Sequence, residues 1–125
     1  FAVVPLDNAN WCQCEECSRQ LAIDKDNIRG EHFNCGTATH YLWTFINNVA
    51  KEVKKTHPGK KIAALAYHVY AYLPEDIELE DNISVAPCLH PRNYWAPKMK
   101  ENEADFYKDW IEESRKVYEA YSFVE

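Results

Sequence analysis

Lys61-Ile62-Ala63-Ala64-Leu65-Ala66-Tyr67 is the stretch on which the fold turns. It is a nearly continuous apolar run, which reads as a strand covered on both faces, as in a parallel sheet. Just upstream, Leu42, Phe45, Ile46, Val49, Ala50 and Val53 recur at the spacing of an amphipathic helix. Asn47, Asn48, Lys51, Glu52 and Lys54 fall opposite them. Thr37 or Thr39 can cap the start of this helix, and Pro58-Gly59 stops it after the basic Lys54, Lys55 and His57.

Working outward, Phe1 to Leu6 is a first short apolar strand, broken by the turn residues Asp7-Asn8-Ala9-Asn10. Trp11 to Gly36 has little periodicity, with a short helix expected over Ser18 to Ile23. Downstream, the polar connection Pro74 to Asp81 leads to a third run, Ile83-Ser84-Val85-Ala86-Pro87-Cys88-Leu89. A last helix is expected over Glu103 to Tyr121, with Phe106, Trp110, Ser114, Val117, Tyr118 and Tyr121 on one face. Ser122-Phe123-Val124-Glu125 reads as the start of a fourth strand. No hairpin turn separates the strands, so the order predicts an α/β fold of parallel βα units with helical crossovers.

The chain has 125 residues, one small domain's worth, with 46% hydrophobic and 14% aromatic residues, which excludes a disordered segment. Acidic residues outnumber basic ones 20 to 14, for a net charge of −6, so no basic footprint for nucleic acid is present. No apolar run approaches a membrane span, and no signal peptide opens the segment. Phe1-Ala2-Val3-Val4 reads as a strand already under way, so residues 1–125 are expected to be a single segment of something longer. A parallel-sheet segment leaves two unpaired edges, so self-association or packing against the rest of a parent chain is expected.

Cys12-Gln13-Cys14-Glu15-Glu16-Cys17 is the most specific local feature. Thiolates this close can share a tetrahedral Zn²⁺, which wants four ligands. Cys35 is the natural fourth, with His32 or His40 behind it. Disulfides in an oxidising compartment and plain free thiols remain the alternatives to structural zinc. Cys88, inside a strand, reads as core.

In parallel α/β folds chemistry gathers at the carboxyl ends of strands. Here those ends deliver Asp7 and Asn8, then Tyr67, His68 and Tyr70, then His90, Arg92, Asn93, Tyr94 and Trp95. Aromatic faces mixed with carboxylate, amide and guanidinium groups suit a sugar. Asp7 is the candidate general acid or base, with an Asx turn or helix cap as its plainer reading. The acidic stretches Glu75 to Asp81 and Glu101 to Asp105 read as solvated charge. Asn82-Ile83-Ser84 matches a glycosylation sequon but opens a strand expected to be buried.

Several of these residues together resemble a known family. They are Asp7-Asn8-x-x-Trp11-Cys12-Gln13-Cys14-x-x-Cys17, Phe45-Ile46-Asn47-Asn48-Val49-Ala50, Pro58-Gly59-Lys60-Lys61-Ile62, Leu65-Ala66-Tyr67 and Asn82-Ile83-Ser84-Val85. The pattern is similar to domain of unknown function 4838, bacterial glycoside-hydrolase-like proteins related to the endo-β-N-acetylglucosaminidases of glycoside hydrolase family 163. The resemblance implies a partial (β/α)₈ barrel, of which this chain would be the middle portion. It also implies an extracytoplasmic setting (periplasmic, cell-surface or secreted) and action on N-acetylhexosamine-containing glycans. Asp7 would then be catalytic, and Asn8, Tyr67, His68, Tyr70, His90, Arg92 and Trp95 would bind substrate. The alternative is a non-catalytic, zinc-stapled module that binds carbohydrate or protein.

Overall fold

The computed structural model describes residues 1–5, 7–8, 10–28 and 33–122, with side chains up to Ser114. The expected fourth strand over Ser122 to Glu125 falls largely outside them, and Ser122 itself ends a helix. Three parallel strands form one sheet in the order β1-β2-β3: β1 is Ala2–Val3, β2 is Ile62–Ala66 and β3 is Ile83–Pro87. Helices α1 (Glu15–Leu21) and α2 (Thr39–Thr56) connect β1 to β2, and α3 (Pro97–Ser122) follows β3. Across the sheet, Ala2 pairs with Ala63 and Ala63 with Ser84, while Val3, Ala64 and Val85 form the neighbouring row. The α/β class and the parallel sheet agree with the sequence reading, although β1 closes after Val3 rather than Leu6.

β2 departs from expectation in its burial. Ile62, Ala64 and Ala66 are buried, whereas Ala63 is exposed and Leu65 half-buried. The reason is that the helical core lies on one side: Leu42, Trp43, Ile46 and Ala50 of α2 and Phe106 and Trp110 of α3 share one cluster with Ile62, Ala64 and Ala66. Alternate residues of a strand point to opposite faces, so among the described residues only that side is covered.

Inside α2 the buried stripe is Thr39, Leu42, Trp43, Ile46, Asn47 and Ala50. Phe45, expected on the apolar face, is 56% exposed, and Asn47, expected among the polar residues, is buried. Asn47 lies four residues after Trp43 and three before Ala50, which places it on the same face. Both ends of its amide are engaged: Nδ2 donates to the Glu78 carbonyl at 3.0 Å and Oδ1 accepts from the Glu80 amide at 2.7 Å. Asn82 adds a donor to the Ala50 carbonyl at 2.9 Å. These bonds hold the β2–β3 connection along α2. A parallel crossover is thereby made with a 3₁₀ turn at His68–Tyr70 and an extended return through the polar connection read from Pro74 to Asp81, so this one crossover is not helical. Asn82 is buried, in keeping with discounting its sequon. Asn47→Ala is expected to destabilise the fold by about 1–3 kcal/mol, since two backbone groups lose their partner. Urea unfolding measures this.

The N-terminus of α2 is made by another group than expected, whereas its carboxyl end, with Lys54, Lys55 and His57 before Pro58-Gly59, falls where the sequence puts it. Its N-cap is Ala38, without a side-chain cap. Instead the Asp24 carboxylate, brought in by the segment after α1, accepts from the His40 amide at 2.5 Å. At the other end Gly59 has φ of 78°, a left-handed conformation that a side chain resists. α1 starts at Glu15 rather than Ser18 because Cys14 Sγ caps it, accepting from the Cys17 amide at 3.5 Å. α3 starts at Pro97, before the expected Glu103, with proline at a position where its missing N–H costs nothing. Two indoles then lock the turn after β2 to the helices. Trp43 Nε1 donates to the Tyr70 carbonyl at 3.1 Å and Trp110 Nε1 to the Ala71 carbonyl at 2.8 Å.

Candidate functional site

The carboxyl ends of β1 and β2 and the segment after β3 bring Asp7, Tyr67 and His90 together. Tyr67, half-buried one residue past β2, donates its hydroxyl to the exposed Asp7 carboxylate. Burial and, next, that bond raise the Tyr67 hydroxyl above the ordinary tyrosine range, so it remains a donor at neutral pH. His90 lies roughly parallel to Tyr67, with ring centroids 6.3 Å apart. Phe33 completes the group: it stacks on His68 at 4.2 Å and meets Tyr67 at 5.4 Å and His90 at 5.2 Å. Phe33 is 43% exposed, so a hydrophobic ring is offered to solvent here beside a carboxylate.

The turn that carries this cluster is held by the strap Asn34–Ala38. The Asn34 side chain, 1% exposed, accepts from the His68 amide at 2.9 Å and donates to the Cys88 carbonyl at 3.2 Å. The Cys35 amide donates to the His68 carbonyl at 2.8 Å, and the Ala38 amide to the Val69 carbonyl at 2.8 Å. Both backbone groups of His68 are thus fixed, and the residue adopts φ of 52°, a region costly for anything but glycine. Such strain persists only where surrounding bonds over-determine it, and it gathers at functional sites.

His90 is held from behind by Glu103. Its amide donates to Glu103 Oε2 at 2.7 Å, and Nδ1 lies 2.6 Å from Oε1. Glu103 is 1% exposed, which overturns the expectation of solvated charge across Glu101 to Asp105. The physical reason is helical spacing: Glu103 precedes Phe106 by three residues and Trp110 by seven, on the face that packs against the sheet.

Of the remaining sequence candidates, Tyr70 meets Tyr67 edge-on, with ring centroids 6.4 Å apart, but from the buried side. Tyr70 is only 4% exposed and belongs to the core; burial, ahead of nearby charges, pushes its hydroxyl up to about 12. Asn8 Oδ1 accepts from the Asn10 amide at 2.9 Å, an Asx turn. Arg92 is exposed on a 3₁₀ turn, Pro91–Asn93, and Trp95 beyond it is 82% exposed. Cys88 is half-buried, and burial raises its thiol.

Cys12, Cys14 and Cys17 form a second centre, their sulfurs all within 4.8 Å of one another. Such a group of soft donors can hold a thiophilic metal ion. Cys35 does not join it: its thiol lies 3.5 Å from Thr37 Oγ1, in the strap that serves His68. His40 faces Asp76 at 2.8 Å, and His32 lies outside the described residues. The Tyr41 hydroxyl donates to Cys17 at 3.5 Å. This bond, then burial, pushes Tyr41 up to about 12. At Cys17 the same hydroxyl draws the thiol down, but Cys14, Cys12 and burial outweigh it and the net shift is upward. Cys14 shifts down, chiefly because the Cys17 amide and thiol donate to it. In the metal-free, reduced protein at mildly alkaline pH, Cys14 therefore carries more thiolate than Cys17 and is expected to alkylate first with iodoacetamide. Peptide mass spectrometry at short reaction times reads the order.

A family model for a domain of unknown function, DUF4838, matches residues 1–121. The chain belongs to that family. No curated protein and no solved structure matches it. Among the described residues of this DUF4838 chain, no helix is long and apolar enough to cross a membrane.

Three residues of the DUF4838 site escaped the sequence reading: Phe33, Asn34 and Glu103. Glu103 carried a usable clue, since the apolar spacing of Phe106 and Trp110 extends back to it. Phe33 and Asn34 sit in a segment without periodicity, and only the fold brings them to the strand ends.

Proposed function

We propose that this chain is part of a glycoside-hydrolase-like catalytic domain acting on N-acetylhexosamine-containing glycans. The observation that carries the reading is the meeting of Asp7, Tyr67, Phe33, His68 and His90 where the strands end. A half-exposed aromatic surface stacks on the apolar face of a pyranose ring, while a carboxylate and an imidazole at its rim meet hydroxyls. Asp7 is the catalytic acid or base in this reading, exposed to a ligand and fixed by the Tyr67 hydroxyl. Asn8, Arg92 and Trp95 would extend contact along the glycan. The relation to glycoside hydrolase family 163 is part of this proposal.

The architecture proposed for the parent is a (β/α)₈ barrel with this chain as one wall. Support comes from one-sided burial: α2 and α3 cover Ile62, Ala64 and Ala66, while Ala2, Ala63, Ser84 and Ala86 are exposed on the other face. In a barrel that second face is buried by the remaining strands. Zinc held by Cys12, Cys14 and Cys17 would staple the loop after β1 to α1 and so steady the approach to Asp7. An extracytoplasmic setting accompanies the glycan substrate.

One observation favours a second reading, a non-catalytic glycan-binding module. Glycoside hydrolysis commonly uses two carboxyl groups, and the second carboxylate near this site, Glu103, is buried beneath His90. Incubating the full protein with an aryl β-N-acetylglucosaminide and with N-glycans separates the two. Release of the aryl group or of glycan fits the enzyme. Saturable glycan binding without release fits the module, and neither binding nor release sinks both.

A further inference from the structure

Among the described residues, Glu103 is the only acidic or basic side chain that is buried. A carboxylate in that position is costly unless its oxygens are satisfied, and an apolar residue packed beside Phe106 would avoid the cost. Its oxygens are satisfied. The His90 amide approaches at 2.7 Å, His90 Nδ1 at 2.6 Å and Asn34 Nδ2 at 3.2 Å, and the Tyr94 hydroxyl donates as well. Four donors match the acceptor capacity of an ionised carboxylate, and no neutral side chain of this size accepts as many.

Two of those donors belong to His90, one from its backbone and one from its ring. That pairing fixes where the residue sits and also how its ring is turned. Because the carboxylate only accepts, Nδ1 carries the proton. The described hydrogen bonds of the ring engage Nδ1 alone, so in the neutral imidazole Nε2 keeps its lone pair for a ligand. Phe33 and Tyr67 flank the same ring, so that nitrogen borders the aromatic surface.

We infer that Glu103 is a positioning residue: it holds His90 in the Nδ1–H tautomer so that Nε2 accepts a hydrogen bond from a ligand hydroxyl on the Phe33–Tyr67 surface. The choice of a sugar hydroxyl as that ligand group rests on the proposed glycan function, whereas the tautomer does not. Asn34 belongs to the same device, since it ties Glu103 to the His68 amide and to the Cys88 carbonyl.

Long-range ¹H–¹⁵N spectra of the full protein, labelled at its histidine nitrogens, test this above the ordinary histidine titration range. His90→Asn supplies the assignment. The expected result is an Nδ1–H ring at His90 in the native protein, and a shift toward the Nε2–H form in Glu103→Met, which removes the acceptor, with a smaller shift in Glu103→Gln. An Nε2–H ring in the native protein overturns the inference even if neither variant folds. A folded Glu103→Met, which offers Nδ1–H no acceptor, also overturns it if its His90 pattern is unchanged, because Glu103 would then serve packing alone. In the same samples, N-acetylglucosamine is expected to move the His90 Nε2 resonance and to bind roughly 5–10-fold more weakly to Glu103→Met, as for one lost hydrogen bond. A native tautomer as expected with no response to the sugar would refute the glycan reading and leave the positioning role standing.

Discussion

Asp7→Asn is expected to lower kcat/KM on an aryl β-N-acetylglucosaminide by about 10²–10⁴-fold, the usual contribution of a general acid or base. The change is nearly isosteric, and Asp7 is exposed, so folding should be almost unaffected. The Tyr67 hydroxyl can still donate to the amide oxygen, which keeps the local geometry while removing the ionisable group. Steady-state kinetics beside a thermal melt therefore separate chemistry from stability. An unchanged melt with lost turnover assigns Asp7 to the reaction. Unchanged turnover removes it from the mechanism.

Trp43→Ala has the largest expected effect on folding, about 3–5 kcal/mol. Trp43 is 0% exposed and packs on Trp110 with ring centroids 4.7 Å apart. It also satisfies the Tyr70 carbonyl through Nε1. Truncation leaves a cavity between α2 and α3 and strips a buried carbonyl of its donor, and the structure cannot fully close over either. Against a typical domain stability of about 5–15 kcal/mol, the loss is a large fraction. Trp43→Phe keeps most of the ring and forfeits the donor, so it should cost about 1–3 kcal/mol. Guanidinium unfolding of both variants divides packing from hydrogen bonding. Because Tyr70 ends the turn that begins at His68, Trp43→Ala should also loosen the candidate site.

α2 was legible because its residues bury a periodic face, and the strands because they are short apolar runs. Leu42, Ile46 and Ala50 in α2 lie where the hydrophobic spacing puts them, whereas in β2 only Ile62, Ala64 and Ala66 of the apolar run are buried. What the spacing could not convey was the treatment of polar residues inside that face. Asn47 and Glu103 look solvated from their neighbours' charge, yet both are buried because distant groups complete their hydrogen bonds. Such partners lie many residues away in sequence, and no local pattern encodes them.

The candidate site divides in a similar way. Tyr67, His68 and His90 were found by locating strand ends, a rule of topology that transfers directly to sequence. Phe33 and Asn34 reach the site only through the strap that pairs with the His68 turn. Spacing brought Cys12, Cys14 and Cys17 together correctly, since they share one tight turn entering α1. Cys35 was drawn to them by chemistry alone, and the fold uses its backbone to hold His68 and Ala71 instead.

On the proposed function, the strand carboxyl ends form a glycan-binding surface. Hydrogen–deuterium exchange of the full protein, with and without a saturating N-glycan, tests it most directly. Slowed exchange is predicted in residues 33–36, 67–71 and 88–94, with no change at the opposite strand ends around residues 57–61 and 80–83. Protection confined to those opposite ends, or none anywhere in the chain, would rule out glycan binding at the strand carboxyl ends.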